Sequence, residues 1–315
     1  MRIRGLMAAA LLMLTAAGCD GGHQAMASDN MTGRSVEKEL RKGADVTVEG
    51  THITGDVDFT EAGLTTQGLP ETRTTVSGSI VFVNCVFEGS VSGRRQSTGR
   101  LVAADFTKDV CFVGCVFAKD VDFGQCTFRG GLRFERCTVK GEARLDGAVA
   151  RGGAVLNNTE FEGDAILDGM RFCGASGFAG LKFRQSAILQ NIRAECDVMM
   201  VDCEFGGICD MSHIRINGNL NLSNGEFASR AECRDGRIYG DVTIAGAKFG
   251  GSAICENTLI DGLVRLGGSE LGKGAEVTRC TFAKQPDAQG IKLTDGAKIE
   301  MSGNMLSTQP FKTMR

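Results

Sequence analysis

Residues 110–164 read VCFVGCVFAKD VDFGQCTFRGG LRFERCTVKGE ARLDGAVARGG AVLNNTEFEGD, which is five consecutive blocks of eleven residues. The same spacing continues to Gln285 without an insertion. Within a block, places 1, 3, 6 and 8 are apolar or small, and places 2 and 7 are usually polar. Places 4, 5, 9 and 10 favour Gly, Asn or Asp. Each block therefore predicts two short strands that alternate with two turns.

The full repeat is twice as long, because alternate blocks differ at two places. Place 8 of one set holds Phe117, Val139, Phe161, Phe183, Phe205, Phe227 and Phe249. The intervening set opens with small residues, namely Ala143, Ala165, Ala187, Cys209, Ala231, Ala253 and Ala275. One coil is thus predicted to contain 22 residues, so that like residues stack on like residues in successive coils.

The spacing of the turns decides between architectures. A leucine-rich horseshoe has repeats of similar length, but it needs an asparagine ladder and a longer return segment, and the sequence has neither. Turns every five or six residues leave no room for a helix within the repeat. We therefore predict an all-β fold, a right-handed parallel β-helix (solenoid) with four short strands per coil and coils about 4.8 Å apart.

The repeat unit resembles that of the pentapeptide-repeat family, in which a small residue is followed two places later by Leu or Phe. The fitting tripeptides include Cys126-Thr127-Phe128, Ala165-Ile166-Leu167 and Cys203-Glu204-Phe205. Large residues step by five and six alternately, which departs from strict fives. The resemblance covers Val46 to Gln285 and implies a solenoid, but the family has many functions, so it does not assign one.

Segments outside the regular run complete the predicted organisation. The solenoid spans residues 46–285, with loop excursions at 65–79 and 91–98. Residues 35–45 begin with SVEKELRK, which predicts a short capped helix over the first coil. The pattern decays in residues 286–315, which we predict to be a C-terminal cap, because open solenoid ends need protection from edge-to-edge association.

The chain begins MRIRGLMAAALLMLTAAGCD, with two arginines before an apolar run and small residues up to Cys19. This pattern is typical of a secretory signal and is too short for a membrane-spanning helix. The ending AAGC resembles the lipobox of bacterial lipoproteins, which implies removal of residues 1–18, acylation of Cys19 and a flexible tether at 19–34. We expect a lipid-anchored protein of the cell envelope. Cleavage after Ala27 is the alternative, and it would give a soluble periplasmic or secreted protein.

Charge and motif content exclude several classes of function. Removing residues 1–18 takes away two of the 35 basic side chains and none of the 38 acidic ones, which leaves a formal charge of −5. This charge argues against nucleic acid as a partner. The histidines, at positions 23, 52 and 213, have no Ser or Cys at a spacing that suggests a hydrolytic triad, and phosphate-loop and dinucleotide motifs are absent. We therefore expect that the protein is not an enzyme, that it uses no cofactor, and that it acts as a structural or binding scaffold.

Thirteen cysteines in an exported protein would normally suggest a disulfide framework. However, several occupy place 6, where a small apolar side chain is wanted: Cys85, Cys115, Cys126, Cys137, Cys203 and Cys280. Free cysteine packs as a small hydrophobe, so we predict interior packing. The pairs Cys115/Cys137 and Cys233/Cys255 are each 22 residues apart, but inward-pointing parallel Cβ vectors suit a disulfide poorly. No Cys-x-x-Cys motif or His pair indicates a metal site.

A row of arginines is the sharpest surface feature. Arg171, Arg193, Arg215 and Arg237 all fall at the outward place 7, one coil apart. We expect Arg129 and Arg151, at place 9 of preceding coils, to extend this row. Stacked guanidinium groups repel each other, and a phosphate or carboxylate ligand would relieve the repulsion.

Two interpretations of this charge pattern remain open. The row is either a binding surface for an anionic glycan, another polymer or a lipid headgroup, or a solvated face balanced by Glu195, Asp210 and Glu232. A protein partner is a further possibility. A shorter acidic series at place 11 indicates either surface turns or a cation site, and it comprises Asp120, Glu142 and Asp164.

Overall fold

The structure is a computed structural model that describes residues 30–66, 72–97, 99–294 and 296–307. Within these ranges the chain winds into a parallel β-solenoid of about 12 coils with about 22 residues per turn, which confirms the predicted fold and repeat. Registered pairs such as Phe183 with Phe205 and Phe205 with Phe227 demonstrate the 22-residue period. The predicted signal at 1–18, the attachment residue Cys19 and most of the predicted tether lie outside the described residues.

Each full coil contributes one strand to each of four sheets, which we number walls 1 to 4 in the order that the first coil meets them. Wall 1 consists of Val46–Glu49, Ile80–Val83, Val110–Val113, Leu132–Glu135, Ala154–Val155, Ser176–Gly177, Val198–Met199, Leu220–Asn221, Val242–Thr243 and Val264–Arg265. Wall 2 consists of Asn30–Thr32, His52–Thr54, Val86–Phe87, Val116–Phe117, Thr138–Val139, Glu160–Phe161, Lys182–Phe183, Glu204–Phe205, Glu226–Phe227, Lys248–Phe249, Glu270–Leu271 and Lys292–Leu293.

The other two walls complete the four-sided section. Wall 3 consists of Val57–Asp58, Val91–Ser92, Val121–Asp122, Ala143–Arg144, Ala165–Ile166, Ala187–Ile188, Cys209–Asp210, Ala231–Arg234, Ala253–Glu256, Ala275–Thr278 and Ile299–Ser302. Wall 4 consists of Leu64–Thr66, Thr72–Val76, Arg94–Ser97, Arg100–Phe106, Thr127–Phe128, Val149–Ala150, Arg171–Phe172, Arg193–Ala194, Arg215–Ile216, Arg237–Ile238, Leu259–Ile260, Thr281–Phe282 and Met305–Leu306. A 3₁₀ helix at Phe59–Glu61 follows the first strand of wall 3.

Backbone geometry explains the residue preferences at the corners. Place 5 of many blocks adopts a left-handed conformation, with φ of 52° at Asn158, 54° at Asn191 and 57° at Asn224. Among residues with a side chain, asparagine tolerates this region best, and glycine enters it freely. The Gly and Asn preference in the turns therefore reflects a conformational requirement of the sharp corner.

Aromatic side chains stack along the interior of wall 2. The ring centroids of Phe161 and Phe183 are 5.3 Å apart, and those of Phe183 and Phe205 are 5.1 Å apart. Phe227 continues the stack 4.7 Å from Phe205 and 4.7 Å from Phe249. The inward assignment of place 8 is thus confirmed, and the stacked rings form the central part of the buried core.

Helix α1, Gly33–Arg41, covers the N-terminal end of the solenoid. Thr32 is its N-cap, and the Thr32 and Ser35 hydroxyls form a reciprocal capping box. Val36 and Leu40 are buried beneath it. The helix starts two residues before the predicted Ser35, and the strand Asn30–Thr32 precedes it, so regular structure begins inside the predicted tether. Within the described ranges, no helix is long and apolar enough to cross a bilayer.

The two excursions are narrower than their predicted limits of 65–79 and 91–98. Thr72–Val76 belongs to wall 4, where it pairs in parallel with Val102–Phe106. Val91–Ser92 likewise belongs to wall 3. Both excursions form antiparallel hairpins on wall 4, in which Leu64–Thr66 pairs with Thr72–Val76 and Arg94–Ser97 pairs with Arg100–Phe106. The polar sequence of the first excursion did not indicate a strand. In the structure the Thr74 hydroxyl is buried and donates to the Thr60 carbonyl oxygen, 3.0 Å away, so a polar residue occupies an inward position.

The solenoid also continues beyond its predicted end at Gln285. Lys292–Leu293, Ile299–Ser302 and Met305–Leu306 extend walls 2, 3 and 4 in register. Side chains of this last described coil are largely exposed, with Met301 at 62% and Met305 at 64%. The first part of the predicted cap at 286–315 is therefore a further coil, while the end of that segment lies outside the described residues.

Candidate anion-binding surface

Four arginines form one column on the outer face of wall 4, and we call this column the arginine ladder. Arg171 pairs in register with Arg193, Arg193 with Arg215, and Arg215 with Arg237. All four are exposed, whereas the residue that follows each of them is buried. Strand alternation therefore directs the guanidinium groups to solvent, with backbones about 4.8 Å apart.

The ladder has no intramolecular counterions in the part of the chain that the structure describes, where no carboxylate lies within ion-pairing distance of its four guanidinium groups. None of the acidic side chains predicted to balance it, Glu195, Asp210 and Glu232, makes an ion pair with a ladder arginine among the described residues. Glu232 pairs with Arg230 and Arg234, each at 3.2 Å. Asp210 accepts hydrogen bonds from Gln190 and from the Ser212 amide. The repulsion expected from the sequence is thus not relieved by an ion pair among the described residues.

The two arginines predicted to extend the ladder, Arg129 and Arg151, differ in their contacts. Arg129 makes a two-pronged contact with Asp105, with Nε 2.8 Å from Oδ1 and Nη2 2.6 Å from Oδ2. This carboxylate raises the pKa of Arg129, and it removes Arg129 from the set of free cations. Arg151 is exposed and has no ion pair among the described residues. The candidate surface therefore comprises Arg151 and the ladder.

The outer column of wall 2 is the internal comparison, because it also stacks charged residues coil upon coil. Here the signs are mixed, and lysine Nζ atoms lie 2.7, 2.8 and 3.0 Å from glutamate oxygens in the pairs Lys182–Glu204, Lys248–Glu226 and Lys292–Glu270. Glu226 raises the pKa of Lys248, and Lys292 lowers the pKa of Glu270. The same solenoid thus compensates one charged column and leaves the opposite one with a single sign.

A polar cleft of about 310 Å³ adjoins the C-terminal half of the ladder. Its lining includes Arg215, Arg237, Arg279, His213 and Asp235. Of these, Arg279 is paired with Glu256, and His213 Nδ1 lies 3.7 Å from Asp235 Oδ2. The two ladder arginines are therefore the unpaired cations of the cleft lining, and they are positioned to hold a phosphate or carboxylate group.

The acidic series at place 11 forms part of the corners. An Asp120 oxygen accepts from the Glu142 amide at 2.9 Å, and an Asp164 oxygen accepts from the Ser186 amide at 3.0 Å. Each carboxylate thereby binds the turn of the next coil, 22 residues later. These contacts favour the interpretation as turn residues, and no grouping of side chains suited to a metal ion occurs in the described ranges.

The cysteines at place 6 are buried, which confirms their predicted interior packing. All six are at most 2% exposed: Cys85, Cys115, Cys126, Cys137, Cys203 and Cys280. Burial raises the pKa of Cys126 and of Cys203 to about 12, which keeps these thiols protonated and unreactive. All cysteines within the described ranges are free thiols, including both stacked pairs considered for disulfides.

The histidines do not form a cluster. His52 Nδ1 lies 3.3 Å from a Glu88 oxygen near the N-terminal end, while His213 borders the cleft. His23 lies outside the described residues. Sequence reasoning found the ladder but missed Asp105 and the cleft. The position of Asp105, 24 residues before Arg129, offered a signal, because it places the two side chains on neighbouring coils.

Part of the chain is similar to a known protein family. Residues 101–149 match the family described as Pentapeptide repeats (9 copies). No curated protein and no solved structure matches the chain. The matched segment precedes the arginine ladder, and the same coil geometry continues through the ladder to the last described strand.

Proposed function

We propose that this protein, a pentapeptide-repeat β-solenoid, is a non-catalytic binding scaffold of the bacterial cell envelope, and that its arginine ladder holds an extended anionic polymer. The observation that carries the proposal is the contrast between two outer columns of one rod. The wall 2 column contains charges of both signs and joins them in ion pairs between coils, whereas the ladder on wall 4 stacks four cations that have no ion pair among the described residues.

Physical chemistry makes this contrast informative. Stacked like charges destabilise a sheet slightly, and opposite charges at neighbouring positions remove that cost. On wall 2, three lysine–glutamate ion pairs between neighbouring coils reduce this repulsion. Without a ligand on wall 4, the repulsion between four arginines in register is not relieved by ion pairs. A polyanion would neutralise all four charges at once.

The dimensions favour a polymer over a single small anion. Three coil spacings separate Arg171 from Arg237, which is roughly 14 Å along the rod axis. Planar guanidinium groups bind carboxylates and phosphates in two-pronged fashion, so each coil offers one such contact. An anionic glycan fits this row, and the headgroup of an anionic lipid is the alternative ligand, since it carries the same phosphate chemistry.

The envelope location rests on the sequence of the signal and on Cys19. An acylated Cys19 would attach the rod at its N-terminal end, near helix α1. Along wall 4, Arg171 lies four coils after Thr72–Val76. The ladder would therefore begin roughly 20 Å from the N-terminal end of the rod. This distance favours a polymer in the space next to the membrane over the headgroups of the anchoring leaflet.

The test uses a ladder variant in which Arg171, Arg193, Arg215 and Arg237 are replaced by Gln. A control variant carries the same loss of charge elsewhere, at Arg144, Arg184, Arg234 and Arg265, each of which is paired with a carboxylate. Binding to polygalacturonate and to phosphatidylglycerol vesicles is measured at rising salt. Wild type and the control variant should bind, with affinity that falls steeply as salt screens the charges, and the ladder variant should not bind.

The ladder variant should keep its fold, because no ion pair is lost and repulsion is removed, so its melting temperature should be equal to or slightly above that of wild type. Equal binding by the ladder variant and wild type at low salt would refute the proposal. Binding of vesicles without binding of polygalacturonate would assign the ladder to a lipid headgroup instead.

A further inference from the structure

The interior of the C-terminal coils is emptier than that of the N-terminal coils. In the coil that begins at Val110, the four inward rings Phe112, Phe117, Phe123 and Phe128 are fully buried. Six coils later, counting 22 residues per coil, the first, third and fourth of these places hold Ile244, Cys255 and Ile260, and only Phe249 is aromatic. The coil length is unchanged, so smaller side chains leave space.

That space is a cavity of about 470 Å³ within the last coils. All four walls contribute to its lining, for example through Val264, Leu271, Ala275 and Phe282. This volume falls within the range of about 300 to 1,000 Å³ that is usual for ligand pockets. Its size therefore exceeds an ordinary packing defect and suits a ligand.

Among the described residues, the cavity is apolar and open at one end. Met301, Met305 and Leu306 line it and are themselves 62%, 64% and 56% exposed in the last described coil, so they form its mouth. The hydroxyl groups of Thr258 and Ser269 donate to backbone carbonyl oxygens, at 3.2 Å and 2.7 Å, and are not free for a ligand. Apolar cavities take up apolar ligands.

The length of the cavity along the rod axis indicates which ligand fits. The lining in wall 3 runs over four successive coils, from Ala231 through Ala253 and Ala275 to Ile299, which corresponds to roughly 14 Å along the axis. A C–C bond is about 1.5 Å long, so a zigzag chain of about a dozen carbons spans this length. We infer that the C-terminal coils form a binding site for one unbranched hydrocarbon chain, that of a free fatty acid, with its carboxylate at the open mouth.

Calorimetric titration of the full chain with dodecanoate tests this site. Saturable binding of one dodecanoate per chain is expected, and decanoate, which is shorter by two methylenes, should bind about tenfold more weakly. Ala253 lies midway along the lining, so Ala253→Phe should block the cavity and weaken dodecanoate binding at least tenfold. Absence of binding by wild type, or unchanged binding by Ala253→Phe, would overturn the inference.

A matched substitution separates a blocked cavity from a damaged fold. Ala187 occupies the same column of wall 3 as Ala253 but is fully buried in packed coils. Ala253→Phe should keep or raise the melting temperature by filling space, whereas Ala187→Phe should lower it through overpacking. A comparable loss of melting temperature for both variants would mean that the cavity is not empty space, which contradicts the inference.

Further arms of the experiment identify the ligand and its location. The ladder variant should bind dodecanoate as wild type does, and loss of binding there would place the carboxylate on wall 4 and overturn the cavity site. Capture by phosphatidylcholine vesicles without binding of free dodecanoate would also overturn it. Sedimentation as a dimer that does not bind dodecanoate would instead make the mouth an interface between two copies.

Discussion

Adjacent residues on one strand meet opposite surroundings in this solenoid. Phe205 is 2% exposed, and its ring lies between those of Phe183 and Phe227, at 5.1 Å and 4.7 Å. Glu204 projects outward, where its carboxylate contacts Lys182 Nζ at 2.7 Å. Because strands of two residues have one inward and one outward position, each position has a single structural role.

Phe205→Ala should therefore destabilise the rod strongly, by about 3 to 5 kcal/mol, because its stacked neighbours are held in register and cannot close the gap. Glu204→Ala removes only exposed ion pairs and should cost less than about 1 kcal/mol. Chemical denaturation monitored by circular dichroism measures both changes. Equal effects would show that the inward and outward assignments are wrong.

Sequence alone was sufficient for the side-chain directions along most of the chain. Period and place predicted the burial of Phe205 and Cys203 and the exposure of Arg215, because one rule of alternation applies in every coil. This rule does not predict that Arg129 is neutralised by Asp105, because the contact runs diagonally between coils, and only the spacing of 24 residues is a signal for it. It also gave no indication of the C-terminal cavity, which results from side-chain volumes summed over all four walls.

At the level of elements, carboxylates at the corners connect one coil to the next. Asp45 stands just before the first strand of wall 1, and its Oδ1 accepts from the Ser79 amide at 2.7 Å and from Lys108 Nζ at 2.8 Å. These hydrogen bonds, with Lys108 as the largest cause, lower the pKa of Asp45 from 3.8 to about 2. The ionised form of Asp45 thus holds the first three turns of the rod together.

The lowered pKa makes a signed prediction for acid stability. Because the carboxyl is more acidic in the folded chain than in the unfolded chain, its contribution is complete above a pH of about 4 and is lost as the pH falls towards about 2. Asp45→Asn should be less stable than wild type at neutral pH by about 0.2 to 1 kcal/mol, a range typical of exposed pairs. Denaturant midpoints between pH 6 and pH 2 should converge for the two proteins, and a gap that persists at pH 2 would contradict this assignment.

Regular elements were predictable and irregular ones were not. The helix in residues 35–42 carries a capping signal, and the structure has α1 at Gly33–Arg41. Thr72–Val76 was missed as a strand because two of its three inward places hold threonines, and the buried Thr74 hydroxyl has its hydrogen-bond partner only in the folded chain. The coil after Gln285 was missed because its inward side chains face a partly empty interior and are not selected as a packed core.

As a whole molecule, the protein is a rod of about 12 coils, or roughly 55 Å, with unlike ends. Helix α1 covers one end, while the last described coil presents exposed Met301 and Met305 around the cavity mouth. Lipid attachment at Cys19 would tether the covered end and direct the mouth away from the membrane. The two proposed binding regions would then lie along and at the far end of the rod.

The tether gives the prediction at this scale. Cys19→Ser removes the thiol that acylation requires, so the protein should move from the membrane fraction to the soluble fraction. Intact-mass measurement should find wild type acylated with Cys19 as its first residue. A mature wild-type chain that begins at Ser28 would show that cleavage follows Ala27 and that the protein is not lipidated.

The hydrogen bonds between coils have a mechanical consequence. Amide groups such as Glu204 N bond to the preceding coil, here to Leu181 O at 2.8 Å, so these bonds run parallel to the rod axis. A force that pulls the two ends apart loads the few bonds of the terminal coil first, and coils should peel off one after another at low tension. Compression along the same axis presses the stacked coils together. A rod tethered at one end would therefore resist crushing by its surroundings and yield to pulling, which is the behaviour of a strut and not of a cable.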